Sequence, residues 1–320
     1  MATKLDISEL DFDAVKANLK TFLSDQTEFS DYDFEGSGMS VLLDVLAYNT
    51  HYLGYNANML ANEMFLDSAD LRSSVVSLAK AVGYTPTSAK ASSANINVVV
   101  NSATGASLTM TRGTKFTTTV NSQSYSFINN ADVSIAPVDG VYTFSSLLIY
   151  EGSLLTFKYT VDTTDIEQRF IIPNNNVDTT TLTVKVQNSS SDSTTNTYTL
   201  ATGITELDDT SKVYFLQEIE NLKFEVYFGD GILGKALEDG NIVILEYIVT
   251  NRSGANGAST FALSGNIGGF SNVTISTNSN AGGGTGPESI ASIKYNAPRD
   301  YSAQDRAVTA DDYKTLVKSL

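Results

Sequence analysis

The sequence predicts an α+β protein, in which a helical N-terminal region is followed by a mainly antiparallel β domain and a C-terminal helix. Apolar residues recur at helical spacing through about the first 90 residues. From about residue 91 to residue 250 they alternate with polar residues, between frequent Gly, Asn and Asp breaks. Hydrophobic residues make up 42% of the chain and charged residues 18%, which is typical of a globular protein.

Three helices are expected in the N-terminal region. The first predicted helix covers Asp13–Leu23, and the second, which carries a broad apolar face, covers roughly Met39–Met64. The third starts near Asp67 or Ser68, because either side chain can cap free backbone N–H groups. It is expected to stop at Gly83, a residue type that favours helix ends.

Short strands are expected to follow. Apolar residues alternate with other residues along Ile96–Val100 and again along Leu182–Val186, the period of half-buried antiparallel strands. The run Ile242–Val249 is almost wholly apolar, which predicts a strand buried on both faces of a sheet. These patterns divide the chain into a helical domain of residues 1–90 and a β-rich domain of residues 91–250.

The remaining residues, 251–320, are rich in Gly, Ser and Asn. They are expected to hold a short β segment, a connector at Asn280–Pro287 and a terminal helix that begins after Thr309. The apolar stripe of that helix consists of Tyr313, Leu316, Val317 and Leu320. Because the stripe reaches the last residue without a cap, we expect either a partner that covers it or a longer polypeptide, and we favour an N-terminal fragment.

Charge and cysteine content exclude several classes of partner. The net charge is −16, from 36 acidic and 20 basic side chains, so the chain repels nucleic-acid phosphates and anionic lipids. No signal-peptide pattern is present, and no apolar run approaches the ~20 residues of a membrane helix. We therefore expect no nucleic-acid or membrane partner. Cysteine is absent, which removes disulfides, thiolate metal sites and cysteine nucleophiles.

Residues for catalysis are sparse. The one histidine, His51, falls in the middle of a predicted helix, and there is no second His for a metal pair. The acidic pairs Asp162 with Asp165 and Asp208 with Asp209 lack the regular oxygen-ligand spacing of a calcium loop, so we interpret them as solvated turns. No enzyme activity, cofactor or metal is predicted.

The stretch Gly229–Gly234 has the Gly-x-Gly-x-x-Gly spacing of dinucleotide-binding proteins. The next apolar run begins within eight residues, at Ile242, which leaves no room for the helix that such a site requires. We therefore predict a turn at the end of a strand, in which the glycines permit positive φ angles.

The same stretch resembles the signature of the baseplate J-like family, in which an F-G-D-G turn, a further Gly, a second turn, an apolar strand and a Tyr occur in order. The matching positions are Phe228, Gly229, Asp230, Gly231, Gly234, Gly240, Tyr247, Gly254 and Gly257. The N-terminal region resembles the large wedge subunit of contractile-tailed phages with T-even-type baseplates. The segments that carry this second resemblance are Phe34–Gly38, Leu43–Tyr48, Glu63–Ala69 and Leu78–Tyr84.

The resemblance implies a structural component of a baseplate wedge that belongs to the inner ring around the tail tube and helps couple host recognition to sheath contraction. The implied location is the virion tail baseplate, after assembly in the host cytoplasm. The implied partners are other baseplate wedge proteins, a second copy of the chain and a sheath-initiating subunit.

Residues that could form such an interface are large and apolar with polar tips. Tyr48, Tyr52 and Tyr55 on the second predicted helix are candidates, together with the terminal stripe at Tyr313, Leu316, Val317 and Leu320. The alternative for the three helical tyrosines is that they close an intramolecular core.

Two other classes of function remain open at this stage. A receptor-binding or adhesive tail-fibre-like β-protein would share the strand-rich, Ser/Thr/Asn-rich and acidic composition, although the helical first quarter argues against it. A polysaccharide-degrading enzyme would need two carboxylates that converge in a cleft, and tryptophan, the usual sugar platform, is absent.

Overall fold

The structure is a computed structural model, which describes residues 11–26, 28, 32–101, 103–201 and 207–303. The chain forms two compact units. The helical unit comprises residues 1–84 and 290–320, and the β unit comprises residues 85–289. The predicted α+β class, with helices at both ends of an antiparallel β region, is confirmed.

The described part of the helical unit contains four α-helices: α1 (Phe12–Ser24), α2 (Gly38–Glu63), α3 (Arg72–Ala81) and α4 (Ile290–Ala303). Each end of α1 and α2 lies within one residue of its predicted position. Among the described residues, no helix is long and apolar enough to cross a membrane.

The start of α3 differs from the prediction. Neither Asp67 nor Ser68 caps this helix; the residue before its first turn is Leu71, whose side chain makes no capping hydrogen bond. The Ser68 hydroxyl instead donates to the carbonyl of Asn62 at the end of α2, at 2.7 Å. The predicted end is confirmed, because Gly83 follows the helix with a φ of +82°.

The core of the helical unit lies between α3 and α4. Its buried members are Ala69, Val75, Val76, Ala79, Ile293 and Ala297. Helix α4 is absent from the predicted elements because Pro298, which lies inside it, normally signals the end of a helix. The predicted terminal helix with Tyr313, Leu316, Val317 and Leu320 lies outside the described residues.

The described β unit contains fifteen strands. They are β1 (Ser93–Val100), β2 (Leu108–Met110), β3 (Lys115–Val120), β4 (Gln123–Asn129), β5 (Val133–Ile135), β6 (Tyr142–Glu151), β7 (Ser153–Thr160), β8 (Phe170–Ile172), β9 (Val177–Gln187), β10 (Thr195–Leu200), β11 (Val213–Glu218), β12 (Phe224–Phe228), β13 (Ile242–Val249), β14 (Ala262–Ser264) and β15 (Val273–Gly282).

These strands form two large sheets. The six-stranded sheet has the order β14-β3-β4-β6-β1-β15, and the seven-stranded sheet has the order β7-β13-β9-β10-β11-β12-β8. Strands β2 and β5 form a small separate pair. Each large sheet has its own hydrophobic core.

Strand β13 is buried on both faces, as predicted. It lies between β7 and β9 in the seven-stranded sheet. Val243, Leu245 and Tyr247 belong to the core of that sheet, and Ile244 and Ile248 are buried on the opposite face. The central position of β13 in the sheet therefore explains its nearly continuous apolar run.

Residues 251–289 are part of the β unit, and the structure shows no division at residue 250. Ala255, Ala258 and Ala281 are buried in the core of the six-stranded sheet. Part of the predicted connector Asn280–Pro287 completes β15, and Thr285 exchanges backbone hydrogen bonds of 3.1 and 3.0 Å with Lys90. This tract is therefore held by pairing rather than free to act as a linker.

The chain passes between the two large sheets at two places, and the buried side chain of Glu151 joins them. Glu151 ends β6 in the six-stranded sheet, and β7 in the seven-stranded sheet begins two residues later. The Glu151 carboxylate has no exposed surface and accepts hydrogen bonds from the Thr250 hydroxyl at 2.7 Å and the Asn251 N–H at 2.9 Å. Its other oxygen accepts from the Asn251 side-chain amide at 2.7 Å.

Thr250 and Asn251 follow directly after β13, where the chain leaves the seven-stranded sheet. Glu151 therefore ties together two passages of the chain between the sheets. Gly152 lies between β6 and β7. Its φ is +130°, and a Cβ added there would collide with the Val249 carbonyl. A glycine is required here by both the backbone angle and the close approach.

We expect Glu151→Gln to lower the free energy of unfolding of the β unit by about 2 kcal/mol, because an amide in place of one carboxylate oxygen leaves a buried donor without an acceptor. Chemical denaturation followed by fluorescence would measure the change. Glu238→Gln, at a side chain 76% exposed, is the matched control and should change stability by less than about 0.5 kcal/mol. Equal stability of the two variants would contradict this role of Glu151.

Candidate assembly interface

Helices α1 and α2 pack against each other through a narrow side of α2. The buried residues of α2 are Ser40, Leu43 and Ala47. The Ser37 hydroxyl caps α2 by accepting from the Ser40 N–H at 3.0 Å. None of the α1 residues is fully buried, so this helix pair encloses little apolar surface.

An ion pair contributes to the α1–α2 contact. The Lys16 ammonium lies 2.5 Å from the Asp44 carboxylate. This hydrogen bond raises the pKa of Lys16, so the lysine stays charged at neutral pH. The pair is close to solvent, and such pairs contribute little free energy, so its main effect is to orient the two helices.

The remaining surface of α2 is apolar and exposed. Six residues, each 44–62% exposed, follow one another at intervals that alternate between four and three: Val41, Val45, Tyr48, Tyr52, Tyr55 and Met59. We call this set the tyrosine seam. The rings of Tyr48 and Tyr52 stack with their centroids 6.3 Å apart. An alternating four-three spacing is the pattern with which helices pack into coiled coils and bundles.

A second exposed set lies beside the tyrosine seam on α2. It consists of Leu42, Leu46, Leu53 and Leu60, and beyond the helix the apolar surface continues through Met64, Phe65 and Leu71. Helix α2 therefore exposes a broad apolar side, whereas only its narrow α1 side is covered within the described residues. An apolar side of this width on a helix normally packs against other helices.

The junction between α2 and α3 is fixed by Glu63. Its carboxylate accepts hydrogen bonds from the N–H groups of Asp70 at 2.8 Å and Leu71 at 3.2 Å, and so caps α3 from the end of α2. Partial burial raises the pKa of Glu63, but the hydrogen bonds from the Ser74 hydroxyl and these two N–H groups together lower it further, so the net pKa is lowered.

The sequence motif at residues 228–234 forms one tight turn after β12. The Asp230 carboxylate accepts from the N–H groups of Ile232 at 3.0 Å and Leu233 at 3.1 Å, and these bonds lower the pKa of Asp230. An added Cβ at Gly229 would collide with the backbone of Leu233 and Gly234. The turn has no phosphate-binding geometry, because a carboxylate already occupies its N–H groups.

The other glycines of this turn meet backbone and packing constraints. Gly231 and Gly234 have φ angles of +86° and +92°, and a Cβ at Gly234 would lie 2.9 Å from the Val213 side chain. Phe228 anchors the turn in the core, with edge-to-face ring contacts at 5.5 Å to Phe170 and 5.4 Å to Tyr198.

The structure does not gather the other motif residues at the same place. Gly240, with a φ of +77°, lies in the turn before β13. Tyr247 is buried in β13 and donates its hydroxyl to Asn174 at 2.7 Å, and burial raises its pKa. Gly254 lies against Tyr125, and Gly257 donates its N–H to Ala281 at 2.7 Å on the side of the six-stranded sheet.

Only three of the seven candidate interface residues lie in the described part of the chain. Tyr48, Tyr52 and Tyr55 lie on one side of α2 and are exposed, so they do not close a core within the described residues. Tyr313, Leu316, Val317 and Leu320 fall outside those residues. His51 is half-buried within α2. In the described chain, no three His, Asp or Glu side chains are grouped to hold a metal ion.

Comparison with known proteins gives a family match for the N-terminal helices. Residues 11–84, which contain α1, α2 and α3, match the family model described as baseplate wedge protein gp6-like, helical domain. This match confirms the predicted resemblance of the N-terminal region to wedge proteins. The resemblance of residues 226–257 to the baseplate J-like family stays a prediction.

The similarity to wedge proteins extends over almost the whole chain. The chain is 31% identical over 334 aligned residues to baseplate wedge protein gp6 of Enterobacteria phage T4. The alignment covers 96% of this chain and 49% of that protein, so the chain spans about half the length of the curated relative it matches. A baseplate structural role is the function that this relationship supports.

The chain also aligns with a chain of the 6-fold symmetrised cryo-EM structure of the anti-feeding prophage baseplate. The alignment covers 99% of this chain and 66% of that chain, with 10% identity and a TM-score of 0.34. A score this low carries no structural argument beyond the sequence relationship.

We expect Gly229→Ala to destabilise the β unit by about 2 kcal/mol or more, because the new Cβ would meet backbone atoms that cannot move without opening the turn. Thermal unfolding would measure the change. Gly282→Ala is the control, since its φ is not positive and a Cβ there has no neighbour within 4 Å. If both substitutions left the melting temperature unchanged, the turn would not be constrained as described.

We expect Glu63→Gln to lower the stability of the helical unit at pH 7 by about 1 kcal/mol, the usual contribution of a helix cap. Because the folded pKa lies below its ordinary value near 4.5, this contribution is present above that value and is lost as pH falls through the folded pKa. The stability difference between wild type and variant should therefore shrink in acid. Glu35→Gln, an exposed control, should show no such convergence.

Proposed function

We propose that this chain is a structural subunit of a contractile-tail baseplate wedge, whose helical unit binds neighbouring wedge proteins through the tyrosine seam of α2. The observation that carries the proposal is the coincidence of two features in residues 11–84. They match the gp6-like helical domain of wedge proteins, and they present an apolar helix with coiled-coil spacing to solvent.

The length of α2 suits a bundle of several chains. Its 26 residues extend about 39 Å, enough for more than three heptads of contact. Tyrosine is among the residue types that contribute most to binding energy at the centre of interfaces. Leu42, Leu46, Leu53 and Leu60 would contact a further helix, so the exposed surface favours at least two additional helices around α2.

The wider role follows from this assembly. In our proposal the subunit lies in the inner ring around the tail tube of the virion and transmits the signal of host recognition to sheath contraction. Its partners are other baseplate wedge proteins, a second copy of the chain and a sheath-initiating subunit, assembled in the host cytoplasm. Its contribution is mechanical rather than catalytic. The terminal stripe, Tyr313, Leu316, Val317 and Leu320, is proposed as a second contact in the same assembly.

The acidic character of the chain is compatible with this role. A net charge of −16 opposes contact with nucleic acid, so binding has to come from apolar surfaces such as the tyrosine seam. Association through such a surface should depend weakly on salt, because burial of apolar area rather than charge pairing drives it.

We expect the double substitution Tyr52→Asp with Tyr55→Asp to weaken binding to a neighbouring wedge protein of the same phage by at least about 30-fold, which corresponds to the loss of one interface hot spot. Light scattering and titration calorimetry on the mixed proteins would measure complex mass and affinity. Circular dichroism would establish that the helical content is unchanged.

The matched control for this experiment is Thr50→Asp. Thr50 is exposed on α2 and lies on the opposite side of the helix from the tyrosine seam. This substitution adds one negative charge to the same helix, against two in the double variant, and should leave affinity within about threefold of wild type. Normal complex formation by the double variant, with the fold intact, would rule out the tyrosine seam as the interface.

A further inference from the structure

Four aspartate or asparagine residues of the chain are followed directly by glycine: Asp139, Asp230, Asp239 and Asn256. At such a pair the glycine nitrogen can attack the side-chain carbonyl carbon, because glycine has no side chain that hinders the approach. In the aspartate reaction the Cγ–N bond forms, the bond from Cγ to the hydroxyl oxygen of the protonated carboxyl breaks, and water leaves. Water then opens the resulting succinimide ring at either carbonyl, which gives aspartate or isoaspartate.

Exposure does not distinguish the four pairs, because all four acidic or amide side chains are exposed. Their hydrogen bonds do. The reaction needs a free glycine N–H and a side-chain carbonyl that can turn towards it. A hydrogen bond on either group therefore has to break before the ring can close.

The turn after β12 holds both reacting groups of its pair. The Gly231 N–H donates to the Gly234 carbonyl at 3.1 Å, and the Asp230 carboxylate accepts the two N–H groups described above. The lowered pKa of Asp230 also keeps its carboxyl ionised, which is the form that does not lose water.

The turn before β13 is restrained in the same way. The Gly240 N–H donates to the Val161 carbonyl at 2.9 Å. The Asp239 carboxylate accepts from the Thr163 N–H at 3.2 Å. Both the attacking nitrogen and the attacked carboxyl are therefore engaged.

The asparagine pair has the most hydrogen bonds. The Gly257 N–H donates to the Ala281 carbonyl at 2.7 Å. The Asn256 side-chain oxygen accepts from the Ser92 hydroxyl at 2.7 Å and the Gly284 N–H at 3.0 Å, and its amide donates to the Gly284 carbonyl at 3.0 Å. Loss of ammonia here would require all of these contacts to open.

The pair Asp139–Gly140 forms the tip of the turn before β6 and lacks both restraints. Among the described residues, neither the Asp139 carboxylate nor the Gly140 N–H has a hydrogen-bond partner. A Cβ added at Gly140 would have no neighbour within 4 Å, so the space around the turn is open.

Little holds this turn closed. Val138 and Val141 exchange two backbone hydrogen bonds, of 2.9 and 3.0 Å, and form an isolated bridge outside the named strands. Their side chains are 75% and 37% exposed, so opening of the turn uncovers little buried apolar surface. Local opening at such a place costs far less free energy than unfolding of the β unit.

We infer that Asp139 is a site of spontaneous isoaspartate formation, at which the Gly140 nitrogen attacks the Asp139 carboxyl carbon, whereas hydrogen bonds protect the other three pairs. The product carries one additional methylene group in the main chain of the turn. This modification concerns the β unit and is independent of the proposed binding through α2.

Storage of the folded chain at neutral pH for several weeks tests the inference. The reference is the same chain unfolded in guanidinium chloride, where the three Asp–Gly pairs should react at similar rates. Electron-transfer fragmentation of proteolytic peptides locates isoaspartate by its specific fragment ions. In the folded chain Asp139 should react within about threefold of its unfolded rate, whereas Asp230 and Asp239 should be slowed at least about tenfold. No isoaspartate at position 139, or equal rates at the three positions of the folded chain, would overturn the inference.

Two variants test the role of the turn separately. Asp139→Asn keeps the turn, because asparagine followed by glycine suits a two-residue hairpin turn, and it creates a second asparagine–glycine pair in the same molecule. Position 139 of this variant should lose ammonia at least about tenfold faster than Asn256. Asp139→Glu keeps the charge but would need a larger ring, so it should give no isomerised product there. Equal loss of ammonia at positions 139 and 256 would refute protection by hydrogen bonds.

Discussion

The β unit depends on the buried Glu151 carboxylate, which fixes the place where the chain passes between its two sheets. A carboxylate without exposed surface is costly unless its oxygens are hydrogen-bonded, and here three donors from Thr250 and Asn251 supply those bonds. The same geometry requires Gly152 beside it, because any side chain would meet the Val249 carbonyl. Both passages of the chain between the two sheets, from β6 to β7 and after β13, therefore meet at this carboxylate.

The two units satisfy their hydrophobic surfaces differently. The β unit encloses its apolar residues in two cores of its own. The described helical unit encloses a small core at α3 and α4 but leaves α2 largely uncovered. In our proposal this surface functions in assembly rather than in folding of the unit alone. This contrast connects the fold with the baseplate role that the sequence relationship supports.

Much of the fold could be predicted where one pattern dominated locally. The helices α1 and α2 and the buried strand β13 follow from period and length, with errors of one residue at the helix ends. The start of α3 was wrong because its cap is Glu63, which comes from α2 rather than from the residues before the helix. Helix α4 was missed because Pro298 outweighed the helical pattern around it. The connector at Asn280–Pro287 was misjudged because its glycines hide a pairing with distant Lys90.

The candidate site was also only partly predictable from the sequence. By itself, the sequence determined that α2 carries one broad apolar face and that residues 228–234 form a glycine turn, because local spacing and backbone freedom decide both. It could not determine which apolar residues of α2 are covered and which are exposed, since helical periodicity is the same for a core and for an interface. Only the tertiary structure decided this, along with the hydrogen bonds of Glu151 to Thr250 and Asn251, because these depend on contacts between residues far apart in the chain.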